Sequence, residues 1–331
     1  IYPTGTLLGF VVLGLGLGAK LRKLNISTIS EIFELVYKSK FLRGIASIIS
    51  IISLYLILVG QGVAIKGFFT AIGITNQSIF FLFWASFVAY TTMGGLKAVI
   101  DTDIMQSIFM LIGLLVALLS LDLKQIPTVL EISSSVTTTK IPWSSWFLMP
   151  LCYILIGQDM GQRCFATKNP KMIAPACFFA GLLLLLGASV AIIFGLLANT
   201  LQIKAVLGSN LLIASVIQLT PTAVSTIFSA VVIMAIASTA DSILCSISSN
   251  ICSDFAFMRN MLPGKQLFLS RTVTFLLGVS SLVMTVFFDS VVEALMFSYE
   301  FSISVLFVAV VMGVLLKSPS RNAEVVIKVT S

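Results

Sequence analysis

The chain has 331 residues, 58% hydrophobic and 10% charged, with a mean hydropathy of +1.10 and a formal net charge of +7. A soluble domain carries about 25% charged residues, so the composition excludes one and predicts an all-α integral membrane protein, helical because lipid offers backbone groups no partners. No histidine is present, which excludes a histidine relay or metal site, and the five cysteines have no metal-ligand spacing.

In chain order, apolar runs separated by charged or Gly/Pro/Asn-rich breaks predict nine spans, near 4–19, 43–65, 78–93, 103–121, 143–158, 173–197, 222–249, 267–287 and 291–316. The chain opens IYPTG, with neither methionine nor signal peptide, and reads as cut from something longer. In the first span, GTLLGFVVLGLGLGAKL, Gly5 and Gly9, then Gly14 and Gly18, stand four apart, a spacing that lets helices approach closely within one chain or between two. From Asn25, NISTISEIFELVYKS begins with capping candidates and continues amphipathically, predicting a short cytoplasmic helix along the membrane. Gln61 lies between glycines near the outer end of the second span, placed to bond across helices or to face a cavity. Residues 122–142 read as a polar outward loop, and the tail after Lys317 holds no span.

With the first span running inward, sixteen lysines and arginines fall on inward segments and four, Lys66, Lys124, Lys140 and Lys204, on outward ones. That bias sets the orientation: first residue outside, residues 317–331 a cytoplasmic tail, the membrane a plasma membrane. It also accounts for the net charge without nucleic acid.

Four places carry intramembrane polar groups. In VVIMAIASTADSILCSISSN, Ala235, Ser238 and Thr239 share a helix face, so a carbonyl and two hydroxyls converge as a monovalent cation needs. The same hydroxyls can instead bond back to carbonyls one turn earlier. Asp241, three residues on, either adds field to such a site, carries a proton, or pairs with a lysine or arginine from the cytoplasmic side. In YILIGQDMGQRCFATKNPK, Gly157, Gln158, Asp159 and Gly161 suit a helix broken beside a cavity, or a plain helix end. In YTTMGGLKAVIDTDIMQS a tight turn precedes Asp101 and Asp103, where a helix dipole favours acids. Glu300 falls in the last span, either intramembrane or near its outer surface.

Three of these stretches, AYTTMGGLKAVIDTDIMQ, GQDMGQRCFATKNPK and AIASTADSILCSISSNICSDF, resemble in order and spacing the signatures of the sodium:solute symporter family, over residues 1–316. The resemblance implies the inverted-repeat fold of the leucine transporter, with residues 1–316 as core helices two to ten and the first core helix absent. It places Ala235, Ser238 and Thr239 in the sodium site, Asp103 near the cytoplasmic exit of sodium, and Gln158 and Asp159 among substrate contacts; Gln61 is a further candidate. Sodium is the implied coupling ion, with no organic cofactor. The partners are a small organic solute (amino acid, carboxylate or vitamin-like) and the bilayer, and the functional unit is a monomer. Gly157 stands where sugar carriers have asparagine, which disfavours a sugar. Lacking the first core helix, the 331 residues by themselves are not expected to transport. Proton coupling, a solute-sensor module and an inactive fragment are the alternatives; an enzyme is not expected, since no nucleophile and base stand at catalytic spacing.

Overall fold

The computed structural model describes residues 1–120, 143–203, 210–288 and 290–315, so the expected outward loop and cytoplasmic tail lie outside the described residues. All regular elements among them are helices. Eight are long and apolar enough to cross a membrane: α1 (Tyr2–Lys23), α3 (Lys40–Ala71), α4 (Gln77–Gly95), α5 (Lys97–Leu119), α8 (Pro170–Thr200), α10 (Thr222–Asp254), α11 (Pro263–Met284) and α12 (Val291–Leu315). Between them stand α2 (Glu31–Leu35), the pair α6 (Trp143–Ile156) and α7 (Gln158–Ala166), and α9 (Leu211–Leu219). The ninth expected span is thus the broken pair α6 and α7.

Helix α10 is the axis of the assembly, packed on α3, α4 and α5. Lipid-facing surface is legible on α5, where Ile104, Ile108, Ile112 and Leu115 recur every three or four residues and are all exposed. The glycines of α1 serve contacts inside the chain. A Cβ on Gly5 would strike the Phe147 carbonyl, and one on Gly9 would come within 2.9 Å of Ile154 and of the Leu151 carbonyl, so α1 lies directly on α6. After the first glycine pair, Leu13–Leu17 form a π-turn in which Gly16 takes φ 140°. Gly14, within it, and Gly18, just past it, face Cys177 and Ile173 of α8 instead.

The turn expected around Gly94 and Gly95 contracts to one residue. Helical hydrogen bonding runs from Gln77 to Leu119, and Gly95 alone, at φ 71° and ψ 179°, bends the chain between α4 and α5. Asp103 therefore lies in the second turn of α5, away from the dipole position expected for it.

The amphipathic segment from Asn25 does not lie along the membrane. Ile29, Ile32 and Phe33 are buried within a core formed with α1, α6 and α12, and only Glu31–Leu35 are helical. The Thr28 and Ser30 hydroxyls are not caps. The Thr28 and Ser30 hydroxyls donate to Asp254 at 2.6 and 2.5 Å, and Arg43 Nε donates to the same carboxylate at 3.0 Å. Arg43 also pairs with Glu34 at 2.7 Å and Glu31 at 3.1 Å and donates to the Ser253 carbonyl at 2.6 Å. Burial holds the Glu31 carboxyl above its ordinary range against the pull of Arg43, while the hydrogen bond from Arg43 holds Glu34 below its own. The segment is a plug bound to the C-terminal end of α10.

Candidate functional site

The polar face of α10 meets α5 and α7 midway along its length. Ser238 donates its hydroxyl proton to Asp103 Oδ1. Asp103 Oδ2 accepts from Arg163 Nη2 of α7 at 3.1 Å, and the same nitrogen donates to Ser242 Oγ at 2.6 Å. Thr239 Oγ1 donates to the Ala235 carbonyl at 3.0 Å. The choice between cation ligation and back-bonding therefore dissolves. A hydroxyl that ligates a cation must direct its proton elsewhere, and both do: Ser238 onto a carboxylate, Thr239 onto a backbone carbonyl. Each hydroxyl oxygen keeps its acceptor lone pairs, while the Ala235 carbonyl already receives both the helical amide and the hydroxyl of Thr239. Two neutral hydroxyl oxygens on one helix face, with a carboxylate behind them, suit a monovalent cation held weakly enough to be released, and the Ala235 carbonyl joins them where the Thr239 hydroxyl turns away from it.

Asp241 is 1% exposed, and Thr91 of α4 donates to it. Among the described residues no lysine or arginine pairs with Asp241: Arg163 reaches Asp103 and Ser242 instead. Thr91 also stands 2.9 Å from the Phe87 carbonyl, so one hydroxyl proton faces two acceptors.

The break expected after the fifth span occurs at Gly157, which leaves the helical region at ψ 131°. A side chain there would come within 2.7 Å of Asp159 Oδ1 and 3.0 Å of the Tyr153 ring, so packing requires the glycine. Gln158 and Asp159 then diverge. Gln158, 2% exposed, accepts from the Ile29 amide at 2.7 Å and donates to the Ser27 carbonyl at 3.2 Å, so its side chain tethers the plug to α7. Asp159 has the Tyr153 hydroxyl at 3.4 Å as its side-chain partner. Tyr153 stacks on Tyr299 with ring centres 4.3 Å apart, and the Tyr299 and Tyr2 hydroxyls are 2.9 Å apart. This tyrosine trio from α1, α6 and α12 was not expected from the sequence; the available signal was that each is a polar hydroxyl within or beside an apolar run. Gln61 is buried on α3, its neighbours Gly60 and Gly62 lying against Ala294 and Thr285, and its amide makes no hydrogen bond among the described residues. Glu300 is exposed ten residues into α12.

The profile of the sodium:solute symporter family matches residues 1–318. The sodium/pantothenate symporter of Haemophilus influenzae is 26% identical over 252 residues, 70% of this chain and 51% of that protein. Solute carrier family 5 member 4 of Rattus norvegicus is 25% identical over 217 residues, 54% of this chain and 32% of that one. This chain thus spans about half the length of the first relative and about a third of the second. A solved structure, the substrate-bound outward-open state of a Na+-coupled sialic acid symporter, superposes with a TM-score of 0.72 at 20% identity, covering 96% of this chain and 72% of that one. The fold is thus the inverted-repeat arrangement of the leucine-transporter kind.

Proposed function

The chain belongs to the sodium:solute symporter family, and on that premise we propose that it serves a secondary active transporter coupling inward sodium movement to uptake of a small organic solute. The observation that carries this reading is the disposition of hydroxyl protons on α10, which leaves the hydroxyl oxygens of Ser238 and Thr239 free to accept a cation, with the Ala235 carbonyl to join them as the Thr239 hydroxyl turns from it. Sodium bound there would favour the outward-open state; solute would complete its site at the break, beside Asp159; occlusion and rocking of one helix bundle against the other would release both inside. The membrane potential supplies about 2.3 kcal/mol per charge per 100 mV, and the sodium gradient adds to it. Asp103, held by Arg163 on the inner side, would lie on the ion's way out. The lysine and arginine bias supports a plasma-membrane orientation with the first residue outside.

Two relatives carry the names of organic acids, pantothenate and sialic acid, which supports a carboxylate-bearing solute. The test is uptake into proteoliposomes, as a function of external sodium, by a version of the protein that includes the first core helix. Ser238→Ala and Thr239→Ala are each expected to raise the half-saturating sodium concentration about tenfold, the worth of roughly one lost ligand. Unchanged sodium dependence in both variants sinks the assignment. One observation favours a second reading: Asp241 is buried with a hydroxyl as partner and no cationic side chain paired with it among the described residues. Uptake that follows a pH gradient without sodium would select proton coupling.

A further inference from the structure

Residues 27–30 of the plug join two parts of the fold, and alternate residues turn to each. The Ile29 amide and the Ser27 carbonyl are both engaged by the Gln158 side chain of α7. One turn on, Gly161 seats the Ile29 side chain so closely that a Cβ would come within 2.7 Å of Ile29 Cδ1. The Thr28 and Ser30 hydroxyls go instead to Asp254 of α10. Thr28, Ile29, Ser30, Gln158 and Asp254 are all buried, so both joints are fully made. On one side of the plug α7 packs with α1 and α6; on the other α10 packs with α3, α4 and α5.

The two joints differ in kind. At α10 a carboxylate accepts from two hydroxyls and the Arg43 guanidinium, all charge-assisted bonds. At α7 a neutral amide makes one bond in each direction, of ordinary strength. A displacement of α7 against α10 therefore parts the plug from α7 first. A second link between α7 and that body, Arg163 to Asp103, has an arginine side chain 48% exposed, which water can replace. The connections at the ends of the plug permit the motion. Asn25, at φ 54°, and Lys38, at φ 56°, are single left-handed residues between the plug and the long helices α1 and α3, and loop residues of this kind absorb a hinge rotation.

We infer that Gln158 is a positioning residue for transport: its amide latches α7 to the plug while the plug's side of the molecule is closed, and α7 leaves the plug at this amide when that side opens, the plug staying with α10. The inference rests on the transporter reading, in which that side is the inner one. Asp159, next in the chain and beside the break, travels with α7, so unlatching and disturbance of the proposed solute site are one motion. Gln158 then acts on sodium only through the position of α7. It sets the share of molecules closed on the inner side, and apparent affinity for external sodium falls in proportion to the share able to bind it.

The test compares two cysteine pairs in a version of the protein that includes the first core helix, with the five native cysteines replaced by alanine. Ile29→Cys with Gly161→Cys bridges the plug to α7, the smaller side chain at 29 making room at 161. Ile32→Cys with Gly313→Cys bridges it to α12, where a Cβ at 313 would come within 2.8 Å of Ile32. Disulfide closure by copper phenanthroline in nanodiscs is timed by peptide mass spectrometry, in sodium and in choline. The first pair is expected to close several-fold faster in sodium, which favours the outward-open state, and the second at one rate in both. In proteoliposomes, closing the first pair is expected to abolish sodium-driven uptake of a labelled carboxylate, pantothenate being the first tried, and dithiothreitol to restore it. Gln158→Met, which keeps the length and loses both bonds, should raise the half-saturating external sodium concentration about tenfold and change the maximal rate by about twofold or less. Equal closure rates of the first pair in sodium and choline overturn the inference. So does undiminished uptake with that pair closed, or a Gln158→Met protein whose maximal rate falls while its sodium dependence is unchanged. Sodium-dependent closure in a protein that transports nothing keeps the latch and loses the transporter reading; undiminished uptake through the closed pair does the reverse.

Discussion

Asp254 and Asp103 are both buried carboxylates that touch one arginine and at least one hydroxyl of a neighbouring element, yet they are built for different ends. Around Asp254 the central pair is enclosed: its side chain is 0% exposed, Arg43 is 8% exposed, and the guanidinium is divided among three carboxylates and a carbonyl. Around Asp103 the arginine side chain is 48% exposed, and the hydroxyl that donates to the carboxylate still has lone pairs to offer. A network whose bonding capacity is used up holds elements together. One with capacity in reserve can exchange partners, which binding and releasing an ion demands.

The strongest way to break this comparison is Arg43→Ala. Removing one member of a buried charge network leaves the others uncompensated, so a loss of about 3–5 kcal/mol is expected, read by thermal unfolding in detergent or nanodiscs. A loss under about 1 kcal/mol would mean the plug is not held by charge. Next comes Asp103→Asn, expected to change stability by about 1 kcal/mol or less, because its arginine partner is largely solvated. Its main effect should fall on the sodium concentration needed for uptake. An equal collapse of fold in both variants would erase the distinction between the two carboxylates.

The smallest expected effect separates Glu31 from Glu34. The fold disfavours ionised Glu31, so its ionisation weakens the plug above the ordinary carboxylate range, and acidification relieves that through its raised value. Glu34 is the reverse: its contribution is present above the ordinary range and is lost as pH falls through its lowered value. At neutral pH Glu31→Gln should therefore leave the unfolding temperature unchanged or slightly higher, and Glu34→Gln should lower it by about 1–2 °C, the second loss shrinking in acid.

The spans and the break at Gly157 were legible because a bilayer imposes length and because glycines beside an amide and an acid have few other uses in an apolar run. The convergence of Asp103 with Ser238 was legible only through family resemblance, since the residues lie 135 positions apart. The plug was misread for a definable reason. An amphipathic pattern records that one face is apolar, and it is the same whether that face meets lipid or α12; likewise Thr28 and Ser30 look like caps until Asp254 claims their protons. Helix α9 escaped because nine residues are too short to span and read as a connecting segment. Asn210 betrays its start, its side chain accepting from the Leu212 and Ile213 amides at 3.0 and 3.4 Å. Gly95 was read within a turn, and single-residue junctions leave no composition signal beyond the glycine itself.

The π-turn at Leu13–Leu17 is, finally, a matter of phase. A straight α-helix advances about 100° per residue, so deleting one residue there would swing everything downstream through about that angle. Gly18 would lose its seat against Ile173, and Arg22 would swing away from the Thr167 carbonyl that anchors it. Length in this stretch is thus as strictly constrained as identity: substitutions within α1 are local events, whereas a single insertion or deletion is a rotation applied to all that follows in the helix.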